Sequence, residues 1–245
     1  MQIPWYYMWS ENYLFFRELL KDSIPKENFI TKEIYIPQEK FDAELYKAED
    51  KHFWDGSLIK VDAILNCLLE AKHNSNEYIL FTDIDIIVKP GLYSLLKKYI
   101  DDKYDIVFLR EEHGVNIGFM LLHVTDLVIT FWQSVRENMI KQGGLDQVYV
   151  NELIPIFTGK QSVFNQQIIT CNNTWDGSTD FIVMQLLCSC LGKEFNIAEK
   201  IFNAAQYANI EPYMKFVPDN IIPFIYKFQE ILYHSHKEAK TAGIS

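Results

Sequence analysis

The chain has 245 residues, 49% of them hydrophobic and 15% aromatic, which suits a single α/β domain over residues 1–245 with a sizeable core. Its formal net charge is −10 and no Lys/Arg block breaks the acidic balance. That argues against a nucleic-acid partner and against an anionic membrane surface.

In chain order, Ile3 to Met8 is apolar and aromatic and reads as a buried first strand. Ser10 or Asn12 can cap a helix over Tyr13 to Lys21, and a second strand follows from Phe29 to Ile36. Pro37 to Asp55 is mixed and charged, a loop with a short helix. Gly56-Ser57 then opens an amphipathic helix whose apolar face is Leu58, Val61, Ile64, Leu65 and Leu68. Tyr78 to Phe81 is a continuous apolar run, the pattern of a strand buried on both faces. Lys89-Pro90-Gly91 turns the chain, Leu92 to Ile100 forms a short helix, and Ile106 to Leu109 is another buried strand.

A polar loop, Glu111 to Gly114, leads to a strand over Asn116 to Leu122. Thr125 caps a long helix with the stripe Val128, Phe131, Trp132, Val135 and Met139, and Gly143-Gly144 supplies the positive φ of its stop. A helix from Asp146 to Leu153 begins at once. Further on, the pattern predicts a strand at Val163 to Asn165, a helix over Asp180 to Leu191, and strands over Ile197 to Phe202 and Ile231 to His234. Cys67, Cys171, Cys188 and Cys190 have neither disulfide-framework nor zinc spacing and read as reduced core thiols. Met1 to Trp5 lacks a basic leader, and the longest apolar run, around Phe181 to Leu191, is too short to span a bilayer. The expectation is a soluble, cytoplasmic protein.

Strands alternating with helices predict an α/β fold with a mixed, mostly parallel sheet flanked by helices. The first strand is not followed by a Gly-x-Gly-x-x-Gly loop, and neither a P-loop nor a Gly-x-Ser-x-Gly elbow occurs, which disfavours dinucleotide cofactors, P-loop chemistry and a serine hydrolase. The chemistry gathers instead around Asp83-Ile84-Asp85, directly after the apolar strand. An acid-rich chain holds roughly one Asp-x-Asp by chance, so position is what counts: ligands of open α/β sheets sit beyond the carboxyl ends of strands. On an extended backbone both carboxylates face the same way, and a hard divalent ion such as Mn²⁺ or Mg²⁺ relieves their repulsion. Asn116-x-Gly118 sets a short amide beside a glycine that admits a close approach. Asp146-Gln147 opens a helix where the dipole favours an acid. His234-Ser-His236 with Lys237 and Lys240 is a cationic cluster suited to phosphate.

These motifs, in this order, resemble the small metal-dependent glycosyltransferases of the GT-A fold, in particular the retaining galactosyl- and glucosyltransferase group that includes glycogenin. The resemblance implies a hexosyltransferase-like enzyme that moves a sugar from a nucleotide-diphosphate sugar, in this family mostly a UDP-sugar, to a glycan or protein acceptor with retention. Met8, Ser10 and Asn12 then belong to a nucleotide-binding loop, and Lys60 to a basic position that helps hold the donor. Asp83, Asp85 and His234 take the Mn²⁺ or Mg²⁺ ion. Asn116 and Gly118 line the donor sugar, Asp146 and Gln147 sit beside the anomeric carbon, Asn165 belongs to the next element, and Lys240 reaches the diphosphate. Lys237 stands where the family has glycine, which keeps His236 as the alternative ligand. Two other readings use the same residues: a haloacid dehalogenase-type phosphatase, which would need Asp83 as nucleophile, and a non-catalytic sugar- or metal-binding module. A sugar nucleotidyltransferase would want an N-terminal glycine-rich loop that this sequence lacks.

Overall fold

The structure is a computed structural model of the chain and describes residues 2–37, 51–112, 114–177, 180–188 and 193–230. Its main sheet has six strands: β1 (Ile3–Trp9), β2 (Phe29–Tyr35), β3 (Tyr78–Thr82), β5 (Ile106–Glu111), β6 (Gly114–His123) and β7 (Gln161–Val163). They lie in the order β2-β1-β3-β6-β5-β7. Three of the five pairings are parallel, β1 with β2, β1 with β3 and β5 with β7, and β6 runs antiparallel to both its neighbours. The sheet is thus mixed and mostly parallel, as the sequence implies.

Alternation along the strands divides the core into two layers. Ile3, Trp5 and Tyr7 of β1, with Tyr78 and Leu80 of β3, face one layer. Tyr6 of β1, with Ile79 and Phe81 of β3, faces the other. The first layer is covered by helices α1 (Leu14–Ser23), α3 (Leu92–Asp101) and α6 (Lys193–Tyr207). The second is covered by α2 (Lys51–His73), α4 (Asp126–Gln142) and α5 (Asp146–Leu153). The stripes read from the sequence do this work: Val61, Ile64 and Leu68 of α2, and Val128, Trp132 and Val135 of α4, are all buried. The Oγ1 of Thr125 accepts from Val128 N to cap α4, and Gly143 and Gly144 both take positive φ at its end.

A second sheet of three short strands, in the order β4 (Ile86–Val88), β9 (Val183–Gln185), β8 (Ile169–Cys171), packs on the first layer. Here two expectations are corrected. The run from Asp180 holds a buried strand, β9, because its neighbour β4 supplies an antiparallel partner. Ile197 to Phe202 lies inside helix α6, whose Ile197, Ile201 and Ala204 recur at helical spacing and are buried. The helix predicted from Gly56 begins earlier, at Lys51. Cys67 and Cys171 are buried thiols, and burial pushes Cys171 up to about 12. No helix among the described residues is long and apolar enough to cross a membrane.

Candidate functional site

β3 leaves the large sheet at Thr82, and the chain bends through Asp83-Ile84-Asp85 into β4 of the small one. Asp83 N still donates to Gly118 O at 2.8 Å, the last rung of the β3–β6 ladder. Asp85 O accepts from Leu186 N at 2.9 Å, the first contact of the new sheet. Ile84 is buried in the core and anchors the bend between these rungs. The acidic pair therefore sits on a bend at the carboxyl end of a central strand, where the sequence reading had an extended segment.

Nor are the carboxylates unpaired. Asp83 Oδ1 accepts from Lys60 Nζ at 2.6 Å, and its Oδ2 accepts from Gln185 Nε2 at 3.1 Å. Asp85 Oδ2 accepts from the ammonium of Lys200 on α6, with both side chains buried. Each acid has its own lysine. The other oxygen, Asp85 Oδ1, is buried without a hydrogen-bond partner among the described residues, as is Gln185 Oε1.

Lys60 also couples to Asp146, the first residue of α5. Burial acts to lower the pKa of the Lys60 ammonium, but Asp83, Asp146 and Asp85 outweigh it and hold it above the ordinary lysine value. Asp146 is itself buried, and burial raises its carboxyl above the ordinary 3.8, against the pull of Lys60 and of the Gln147 N–H bonded to Oδ1 at 2.8 Å. Three carboxylates and two ammonium groups thus share one corner of the molecule. Gln147 turns its amide to Glu111 Oε2 at 2.5 Å. Asn116, buried on β6, accepts from Gly118 N through Oδ1 at 2.6 Å and shapes the strand beside Asp83. A Cβ on Gly118 would lie 2.0 Å from Gln185 Nε2, so the close approach that this glycine admits is made by Gln185. Asn151 spends its amide on Val115 and on Gln147 O, tying α5 to β6.

At the end of β1, Met8 is partly buried against the α2–α4 layer. Ser10 is buried at the start of a short 3₁₀ turn, Glu11–Tyr13, without a side-chain cap bond among the described residues, and Asn12 is in that turn. The Trp9 indole N–H is also buried without a partner among them. Lys200 Nζ lies 5.8 Å from the Tyr13 ring centroid. Burial raises the Tyr13 phenol, as do Asp85, Cys188 and Asp83, while Lys200 pulls the other way. The nucleotide-loop candidates and the acidic pair are therefore neighbours. Asn165 is exposed, and its Oδ1 accepts from Gln167 N at 3.0 Å in a turn. His234, His236 and Lys240 fall outside the described residues.

Sequence reasoning missed Gln185, Lys200 and Glu111. The available signal was a lysine and an asparagine, Asn196 and Lys200, set four apart on the buried flank of α6.

Among the described residues no three His, Cys, Asp or Glu side chains stand together as a metal cluster. The donor set nevertheless fits a hard divalent ion, which takes oxygen ligands. Asp85 Oδ1 and Gln185 Oε1 are buried acceptors with unused lone pairs, and Asp83 adds a carboxylate bonded to the same Gln185. Buried polar atoms left in this state mark a place for a ligand, an ion or a water.

No family model matches the sequence, and no curated protein matches it. Solved structures similar to this chain include the following two. One is a glycosyltransferase involved in the glycosylation of the major capsid of PBCV-1, 13% identical, with a TM-score of 0.57 over 84% of this chain and 100% of that one. The other is mouse xyloside xylosyltransferase 1 in its apo form, 12% identical, with a TM-score of 0.45 over 76% and 97%. The first shares the mixed, mostly parallel sheet and flanking helices described above.

Proposed function

We propose that this chain is a glycosyltransferase that moves a sugar from a nucleotide-diphosphate sugar to a glycan or protein acceptor, with a divalent cation at Asp83 and Asp85. The observation that carries the reading is the acidic pair itself: two carboxylates on a bend at the end of β3, flanked by Lys60 and Lys200, with Asp85 Oδ1 unpartnered among the described residues. Fold similarity to a glycosyltransferase supports it.

When bound, a divalent ion would neutralise the charge that builds on a diphosphate leaving group. The chain's own residues do the rest. Lys60, kept protonated by its three acidic neighbours, fixes Asp83 and adds a positive charge to the donor corner. Asp146, at the N-terminus of α5 and coupled to Lys60, is placed to oppose positive charge developing on the sugar. Gln147, held by Glu111, orients beside it. Asn116 and Gly118 shape the strand that backs the sugar, and Met8, Ser10 and Asn12 line the approach for the nucleotide. The buried Trp9 indole N–H, unpartnered among the described residues, lies at the end of β1 beside that approach, and UDP is the nucleotide the resemblance selects. His234 as a third metal ligand, Lys240 on the diphosphate and retention of the anomeric configuration complete the reading as the resemblance implies them.

The test is release of nucleoside diphosphate over a panel of nucleotide sugars with Mn²⁺, together with calorimetry of UDP, GDP and ADP. The reading expects a UDP-sugar to turn over and UDP to bind most tightly. Phosphate release from simple phosphomonoesters without any nucleotide would replace it with the phosphatase reading, and nucleotide-sugar binding without turnover with the binding-module reading.

A further inference from the structure

Lys200 is in an unusual position for a lysine. It sits on the inner flank of α6, is 7% exposed, and gives its ammonium to Asp85 Oδ2. Asp85 is 5% exposed, so without this partner it would be a lone buried charge, a state folded proteins avoid. The lysine thus lets Asp85 stay ionised inside the protein when no other cation is there. A divalent ion at the same carboxylate changes that balance. An ammonium and a doubly charged ion on one carboxylate repel each other in a site of low dielectric, and the carboxylate needs only one of them.

A second observation concerns the seat of α6. Asn196, one turn before Lys200, is 2% exposed, and neither its Oδ1 nor its Nδ2 has a partner among the described residues. Buried amides are nearly always bonded, so the polar flank of α6 is unsatisfied where it now lies. Asp85 Oδ1 and Gln185 Oε1 are unpartnered acceptors among the same residues. Lys200 thus ties α6 to Asp85, while Asn196, Asp85 Oδ1 and Gln185 Oε1 lack hydrogen-bond partners among the described residues.

We propose that Lys200 is the resident counter-cation of Asp85, which an arriving divalent ion displaces, so that α6 sets the affinity of the metal site. The inference rests on the metal-dependent reading of Asp83 and Asp85 given above. The lysine keeps the site assembled before the ion arrives and weakens metal binding in return.

The experiment is calorimetric titration of the full chain with MnCl₂ at fixed pH. Lys200→Met removes the competitor while keeping most of the aliphatic stem, and Mn²⁺ should then bind about 10–100-fold more tightly than to the wild type, the usual size of a change around a metal ligand. Lys200→Arg keeps the competing charge and should bind no more tightly than the wild type. Equal or weaker binding by a folded Lys200→Met protein overturns the proposal. Should that variant fail to fold, Asn196→Leu gives the second reading. It removes the unsatisfied amide, holds α6 in its present seat, and should raise the Tm while weakening Mn²⁺ binding. Unchanged Mn²⁺ affinity in Asn196→Leu overturns the proposal. Failure of wild type and variants alike to bind Mn²⁺ overturns the metal reading itself, and this inference with it.

Discussion

Gly118→Ala tests how β6 supports the acidic pair. The glycine's φ is outside the left-handed region, so alanine meets no backbone strain there and the effect is one of contact alone. The new Cβ would lie 2.0 Å from Gln185 Nε2 and 2.5 Å from both its Cδ and Oε1. Gln185 is buried and bonded to Asp83, so it must either strain in place or leave that carboxylate. Overpacking of this kind costs about 1–3 kcal/mol, and a hydrogen bond to a charged acceptor is worth about 1.5–3 kcal/mol. Replacing glycine returns about 0.4–1 kcal/mol by restricting the unfolded chain. Since strain and loss of the bond are alternatives, the net loss is about 1–2 kcal/mol, or a Tm lower by about 2–8 °C for a chain of this size. Thermal unfolding followed by circular dichroism reads this directly. In a Gln185→Ala background the clash has no partner, so the same Gly118→Ala change should cost nothing. A neutral Gly118→Ala, or an equal loss in both backgrounds, would refute the placement of Gln185 against Gly118.

Asp146→Asn addresses the buried acid. Burial raises its folded pKa above 3.8, so over the acid window above that value the folded chain holds a proton that the unfolded chain has lost, and stability falls as pH rises. In denaturant unfolding the asparagine variant should gain stability relative to the wild type as pH rises through that window, with no loss at neutral pH; a relative loss with rising pH would contradict the burial argument. Lys60→Met strips the cation shared by Asp83 and Asp146. It should cost about 2 kcal/mol, below the 3–5 kcal/mol of a fully buried pair because Asp83 is about one-third exposed, and an unchanged denaturation midpoint would count against the coupling. His234→Ala should weaken Mn²⁺-dependent UDP binding about 10–100-fold and more than His236→Ala does, and the reverse order in calorimetry would assign the ligand to His236.

Much of the framework was legible because it follows simple periodicities. The run Tyr78 to Phe81 reads as a strand buried on both faces, and the stripe from Val128 to Met139 as a helix with one buried side; the structure has both. The acidic pair was legible as a candidate site from its place after that strand. What the sequence did not convey was the company each acid keeps. Phe181 to Leu187 is apolar at nearly every position, a pattern that fits a buried strand as well as a helix, and only the tertiary partner β4 decides between them. In α6, two polar residues, Asn196 and Lys200, occupy buried positions beside Ile197 and Ile201, and this obscured the helical stripe. One of the two, Lys200, is the residue that reaches Asp85. Gln185 and Lys200 lie 102 and 115 positions from the acids they bind, separations that no local pattern spans.

The central claim is that Asp83 and Asp85 serve glycosyl transfer through a divalent cation. It is tested most directly by following nucleoside diphosphate release from a UDP-sugar with Mn²⁺, in the wild type and in Asp85→Asn, which keeps the shape of the side chain and removes its charge. The account predicts release that EDTA abolishes and Mn²⁺ restores, and a fall of about 100-fold or more in the variant, the scale of losing one strong electrostatic contact to a transition state. Undiminished release in EDTA, or in Asp85→Asn, would contradict it.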